Sequence, residues 1–209
     1  MKKGILGCLG AIVLFVLILI FSIIGGYNRL TRLSQGVDSQ WAQVQNVYQR
    51  RMDLIPNLVQ TVQGAANFEK STLEEVTKAR AAAESTGVDA NAAPSDPAKL
   101  AQFQQAQDRL GAAVTRVLAV AENYPQLHAT ENFAELQAQL EGTENRIAVE
   151  RGRFNDAVQQ YNTSVKSFPA VLYAGAMGFQ PKPYFTATAG AATPPQVQFN
   201  FNNSPSTAP

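Results

Sequence analysis

Phe133, Leu140, Ile147, Phe154, Tyr161 and Phe168 recur every seven residues without a break. Seven residues make close to two helical turns, so these side chains share one face of a single long helix. In a strand the same spacing would alternate them between two faces. Companion positions follow the same rhythm: Leu136, Thr143, Glu150, Ala157 and Ser164, with Glu144, Arg151, Val158 and Val165 one residue further on. A stripe of this length is covered most simply by other long helices. The helix opens near Thr130, a candidate cap with Phe133 just inside, and ends at Phe168-Pro169.

Helical patterns also fill the chain before it. Residues 4–28 carry no charge, and residues 11–24 are almost wholly Ile, Leu, Val and Phe. About 20 such residues span a bilayer core. A cleaved signal peptide would need a small-x-small site, and Ser22-Ile23-Ile24-Gly25-Gly26 is a poor one, so an uncleaved anchor is expected. The apolar run follows Cys8 instead of preceding it, which argues against a lipoprotein cleavage box. Lys2 and Lys3 before the run nearly balance Arg29 and Arg32 after it. The short basic amino terminus leans towards the cytoplasm, which places the bulk of the chain outside.

Leu30, Leu33, Val37, Trp41, Val44 and Tyr48 then form an apolar face that continues through Ile55, Leu58, Val62, Ala65 and Ala66 to Leu73, Val76 and Ala83. Residues 85–97 read as a loop, with Asp96 as cap and Pro97 at the first position of the next helix. Leu100, Phe103, Ala106, Leu110, Val114, Val117 and Ala121 line that helix, which Tyr124-Pro125 ends. Residues 170–179 are a short apolar piece fit to cover one end of a bundle. From 180 the composition turns to Pro, Thr, Ala and Asn, so residues 180–209 read as a flexible tail. Within it, residues 195–201 alternate apolar and polar and suit an added strand. The domain reading is therefore 1–28 tail and anchor, 29–179 helical domain, 180–209 tail.

The stretch Arg50-Arg51-Met52-Asp53-Leu54-Ile55-Pro56-Asn57-Leu58-Val59 interrupts an otherwise apolar face with charges and a proline. An interior proline costs about 3 kcal/mol and frees a carbonyl, so a kink, a bulge or a break between two helices belongs here. By phase Arg51 falls on the first helix's seam, and Glu144 and Arg151 fall on or near that of the last, flanked by Asn145, Asn155 and Asn162. Arg51 and Asp53 are expected to pair with Glu144 and Arg151, with Asn57 bonding the carbonyl freed near Met52. As a structural network this would lose about 3–5 kcal/mol on Glu144→Ala. The competing reading is a ligand pocket beside Pro56.

These motifs, with Tyr124-Pro125-x-Leu127, Glu131-Asn132-Phe133, Glu141-Gly142-Thr143-Glu144-Asn145-Arg146-Ile147, Phe154-Asn155, Tyr161-Asn162 and Phe168-Pro169, resemble the LemA family. Phe154 stands where that family usually has tyrosine. The resemblance implies an all-α fold: one transmembrane helix followed by an elongated antiparallel bundle of three to four helices. It implies no established enzymatic activity. It suggests membrane-protein partners, since some members are associated with membrane zinc metalloproteases. Family descriptions favour an outside amino terminus, opposite to the charge reading, and leave the side of the membrane open.

The rest of the chemistry is sparse. Beyond Lys2 and Lys3 the chain carries 15 basic and 16 acidic residues, which gives no basic face for nucleic acid. His128 is the only histidine and Cys8 the only cysteine, so no ordinary His/Cys zinc site can form. No cofactor motif or catalytic constellation is legible. The expected role is a membrane-anchored scaffold or adaptor whose partners are the lipid bilayer, a membrane protein or further copies of itself. The alternative is a sensor or enzyme using Arg51, Asp53, Glu144 and Arg151.

Overall fold

The computed structural model describes residues 2–64, 68–86 and 92–186, leaving out the side chains of residues 2–9 and 11. The described residues contain helices α1 (Lys2–Gln63), α2 (Lys70–Glu84), α3 (Pro97–Ala121), α4 (Pro125–His128) and α5 (Glu131–Lys166), then a 3₁₀ turn at Ala170–Leu172. No strand occurs among them, and the stretch at 195–201 lies outside them. The fold is all-α, as the periodicities require.

α1 is one helix of 62 residues, with Pro56 inside it. Its first part is long and apolar enough to cross a membrane, and none of that window is buried. The second part is the central member of the bundle. The helix passes from one part to the other around residue 28 without a break.

The first helix does not end at Pro56. Proline cannot donate to the carbonyl four residues back, that of Met52. Arg80 of α2 does so instead, its Nε lying 3.1 Å from Met52 O, and its other end pairs with Glu84 at 2.8 Å. Asn57, expected to fill this role, is exposed, and its own carbonyl accepts from Thr61 at 2.8 Å. The break falls between Gln63 and Lys70. Ala65 and Ala66, placed on the seam by periodicity, lie outside the described residues.

α1 and α5 run antiparallel: Trp41 meets Phe154, and Arg51 meets Glu144. α3 runs parallel to α1, with Trp41 and Tyr48 against Phe103 and Arg51 against Gln107. α2 descends along α1 beyond the break, so its Arg80 comes back to Met52. Asp96 caps α3 through Ala98 N at 2.8 Å, and Pro97 takes the first position, as expected. Thr130 precedes α5, but its hydroxyl donates to Leu127 O at 2.7 Å instead of capping the helix.

Two apolar cores follow each other along the bundle. Leu30, Trp41, Tyr48, Phe103, Ile147, Phe154 and Tyr161 belong to the one near the anchor. Ile55, Leu58, Val62, Val76, Leu110, Val117, Phe133 and Leu140 belong to the far one. The seam of α5 shifts between them. Leu136 and Thr143 are buried in the far half, and Val158 and Val165 in the near half. That drift is what 3.6 residues per turn imposes on a strict seven-residue row. Phe168, last in the row, lies beyond the end of α5 and is 80% exposed.

α2 covers only the far half. In the near half its place is taken by residues after α5. Ala170 and Ala174 are buried there, and Phe185 is 5% exposed among Trp41 and Phe154. The tail expected from 180 is therefore part of the bundle as far as Thr186. Residues 187–209 lie outside the described residues.

Candidate functional site

Between the two cores lies a polar layer. Arg51 is three residues after Tyr48 and four before Ile55, so α1 must turn it inward, and it is 3% exposed. Its Nη1 donates to Glu144 Oε2 at 2.9 Å. Its Nη2 donates to Gln107 Oε1 at 2.8 Å and to Gln107 O at 2.7 Å. One guanidinium thus ties α1, α3 and α5 at the same level. Gly111, one turn beyond Gln107, leaves it room: a Cβ there would lie 3.2 Å from Nη1. The guanidinium carbon sits 5.2 Å from the centre of the Tyr48 ring, within reach of a cation–π attraction.

Both ends of this layer are unequal. Glu144 keeps 61% of its side chain in solvent, whereas Arg51 keeps 4%. Arg51 Nε and the Tyr48 hydroxyl are buried with no hydrogen-bond partner among the described residues. Burial pushes the Tyr48 hydroxyl up to about 12, against the opposing pull of Arg151 and Arg51.

The other charged residues named from sequence are elsewhere. Asp53 is exposed and accepts from Gln49 at 2.7 Å on its own helix. Pro56 and Asn145 are exposed too. Arg151, two turns beyond Glu144, pairs with Asp108 at 3.6 Å, donates to Thr186 O at 3.0 Å and lies 4.9 Å from the Phe185 ring centre. Helical geometry explains the division: two residues on, Asp53 is rotated about 200° from Arg51.

A second polar device was not legible. Asn155 donates to Phe185 O at 3.0 Å and accepts from Phe185 N at 2.9 Å. Asn162 does the same with Lys182, both bonds at 2.8 Å. Gln104 of α3 donates to Thr186 O at 2.8 Å. Seven helical residues advance about 10.5 Å, and three extended residues about 10 Å, so the two asparagines match the backbone of residues 182–186, a strap laid along α5. Lys182 also reaches Asp38 at 2.7 Å. The seven-residue spacing of Asn155 and Asn162 was the available signal. A polar residue seven from another normally reads as a solvated face.

The cleft beside Arg51 and Glu144, also lined by Gly111, Thr115 and Leu140, measures about 190 Å³. A larger one of about 800 Å³ lies at the far tip, lined by Thr61, Gly64, Tyr124, Pro125, Leu127 and Asn132. Among the described residues no group of three His, Cys, Asp or Glu side chains is placed to hold a metal. His128 is exposed and rests 5.9 Å from the Phe133 ring.

A family model described as the LemA family matches residues 40–199. The match includes Arg51, Gln107, Glu144 and the strap. Magnetosome proteins MamQ 2 and MamQ 1 of Paramagnetospirillum magneticum are each 25% identical over 201 residues, covering 87% of this chain and 72% of theirs. Magnetosome protein MamQ of Magnetospirillum gryphiswaldense is 30% identical over 90 residues, 42% of this chain and 33% of its own.

Proposed function

This chain belongs to the LemA family, and on that premise we propose that it is a membrane-anchored scaffold that holds a helical surface at a set distance from the bilayer for other membrane proteins. The carrying observation is α1 itself. The helix that is apolar enough to span the membrane continues without a break into the bundle's core. Relatives named for a structure, the magnetosome, support a part in a larger assembly. The polar layer then serves as a register pin: three helices share one arginine, and a shift of α3 or α5 by a turn would cost the buried guanidinium its partners on that helix.

A sensor or enzyme at the same residues is less well supported. Its four charges do not converge, and about 190 Å³ falls short of the roughly 300–1,000 Å³ usual for small-molecule sites. The test is cross-linking and native purification of the full chain from its own membranes. A stoichiometric membrane-protein partner is the expected result. A monomeric chain that copurifies with a small molecule, and with no protein, would overturn the scaffold.

A further inference from the structure

Residues 168–179 contain no charged side chain, and they leave several large apolar ones in the open. Phe168 is 80% exposed, Leu172 74%, Val171 54% and Met177 40%. The segment is nonetheless tightly built. Val171 N bonds Ser167 O at 2.9 Å, Ala174 N bonds Ala170 O at 2.8 Å and Phe179 N bonds Ala174 O at 2.9 Å. Gly178 turns the chain with a φ of +84°, which favours glycine. On one side α5 holds the segment, and on the other the strap does, through Asn162.

Its height is set by two contacts with α1. Tyr173 lies against Gly26 so closely that a Cβ there would collide with the phenol oxygen. Tyr27 meets Phe179 edge-on, with ring centres 5.4 Å apart. Gly26 and Tyr27 end the uncharged run 4–28, and the first charge after it is Arg29. That run of about 37 Å outlasts a hydrocarbon core of about 30 Å, so its last turn lies among the headgroups. Tyrosines at that level suit the interface.

We propose that residues 168–179 are a second membrane contact, an interfacial foot whose exposed Phe168, Val171, Leu172 and Met177 enter the headgroup–acyl boundary beside the anchor. The occupant is the lipid bilayer, because the membrane-spanning helix itself carries the foot to that depth. With two points of contact the bundle has a fixed rotation about α1, and so a fixed direction in which it leans. This stands apart from any scaffold role, since a sensor or an enzyme could be footed in the same way.

The full chain is placed in phosphatidylcholine nanodiscs with Cys8→Ser and one nitroxide-labelled cysteine, at Leu172→Cys or at Thr115→Cys on the far half. Collision rates with oxygen and with a water-soluble nickel chelate are compared. At Leu172 the oxygen-to-nickel ratio should exceed that at Thr115 by about threefold or more. Adding Phe168→Asp should lower that ratio while helicity and Trp41 emission stay unchanged, since Phe168 is mostly exposed. Equal ratios at the two sites overturn the foot. So does suppression of both collision rates at Leu172, which would mean that a second copy or another protein covers the segment.

Discussion

Arg51 and Glu144 form an unsymmetrical pair, and their substitutions should differ accordingly. Glu144 is largely solvated, and Gln107 remains as a partner for the arginine. Glu144→Ala is therefore expected to cost only about 1–2 kcal/mol, below the 3–5 that a fully buried pair implies. Arg51→Ala should cost about 3–5 kcal/mol, since it empties a buried site and orphans Gln107. Arg51→Met with Gln107→Leu should recover much of that loss, and urea unfolding of the three variants checks the order. Tyr48 adds a pH signature. Its hydroxyl ionises near 10.0 when unfolded and only at about 12 when buried. The folded state thus keeps its proton longer, so this contribution is whole below pH 10 and vanishes as pH rises through 12. Tyr161, raised by burial and by Asp38, acts in the same sense. The urea midpoint should fall over that window, and Tyr48→Phe should flatten the fall by on the order of 2 kcal/mol while changing neutral stability by less than about 1 kcal/mol. The arginine's inward position was legible from the apolar rows around it. Gln107 was not, because in a glutamine-rich helix the neighbouring Ala106 looks like the better core residue. Yet Gln107 is 1% exposed, four residues after Phe103 and three before Leu110.

Among the elements, α2 and the strap divide the work of covering the α1–α3–α5 trio. The proline of α1 is tolerated because α2 delivers a donor to the orphaned carbonyl, a contact between residues 28 apart in sequence. Local reading could find the missing bond but not the distant group that supplies the replacement. This makes a coupled prediction. Arg80→Ala should cost about 1 kcal/mol in the native chain and clearly less on a Pro56→Ala background, where the helix makes its own bond. Equal costs in the double-mutant cycle would show that Arg80 acts only through Glu84. The strap resisted sequence reading for a different reason: its composition is that of a solvated tail. Only Phe185 is a large buried apolar anchor, and the rest of the attachment is polar: backbone bonds to Asn155, Asn162, Gln104 and Arg151, and the Lys182–Asp38 pair. Phe185→Ala should destabilise the near half by about 3 kcal/mol, read as loss of the red-shift protection of Trp41 in urea before the far half unfolds.

For the whole molecule, the seven-residue row and the uncharged run carried most of the architecture, because both are periodic or compositional signals that survive without distant contacts. They also let the anchor run straight into the bundle, since only Gly25-Gly26 stands between the two apolar stretches, and α1 does so. The full chain should stay with membranes through carbonate extraction; release to the soluble fraction with a shortened amino terminus would contradict the uncleaved anchor. The unbroken α1 also gives the molecule leverage. The 35 residues from Arg29 to Gln63 form a stiff arm of about 52 Å with its fulcrum at the membrane surface. Tilt of about 20° is common for a helix adjusting to bilayer thickness, and it would sweep the far tip through about 18 Å. A change of a few ångströms in lipid thickness thus becomes a displacement several times larger at the tip, where Tyr124 and Pro125 line a cleft of about 800 Å³.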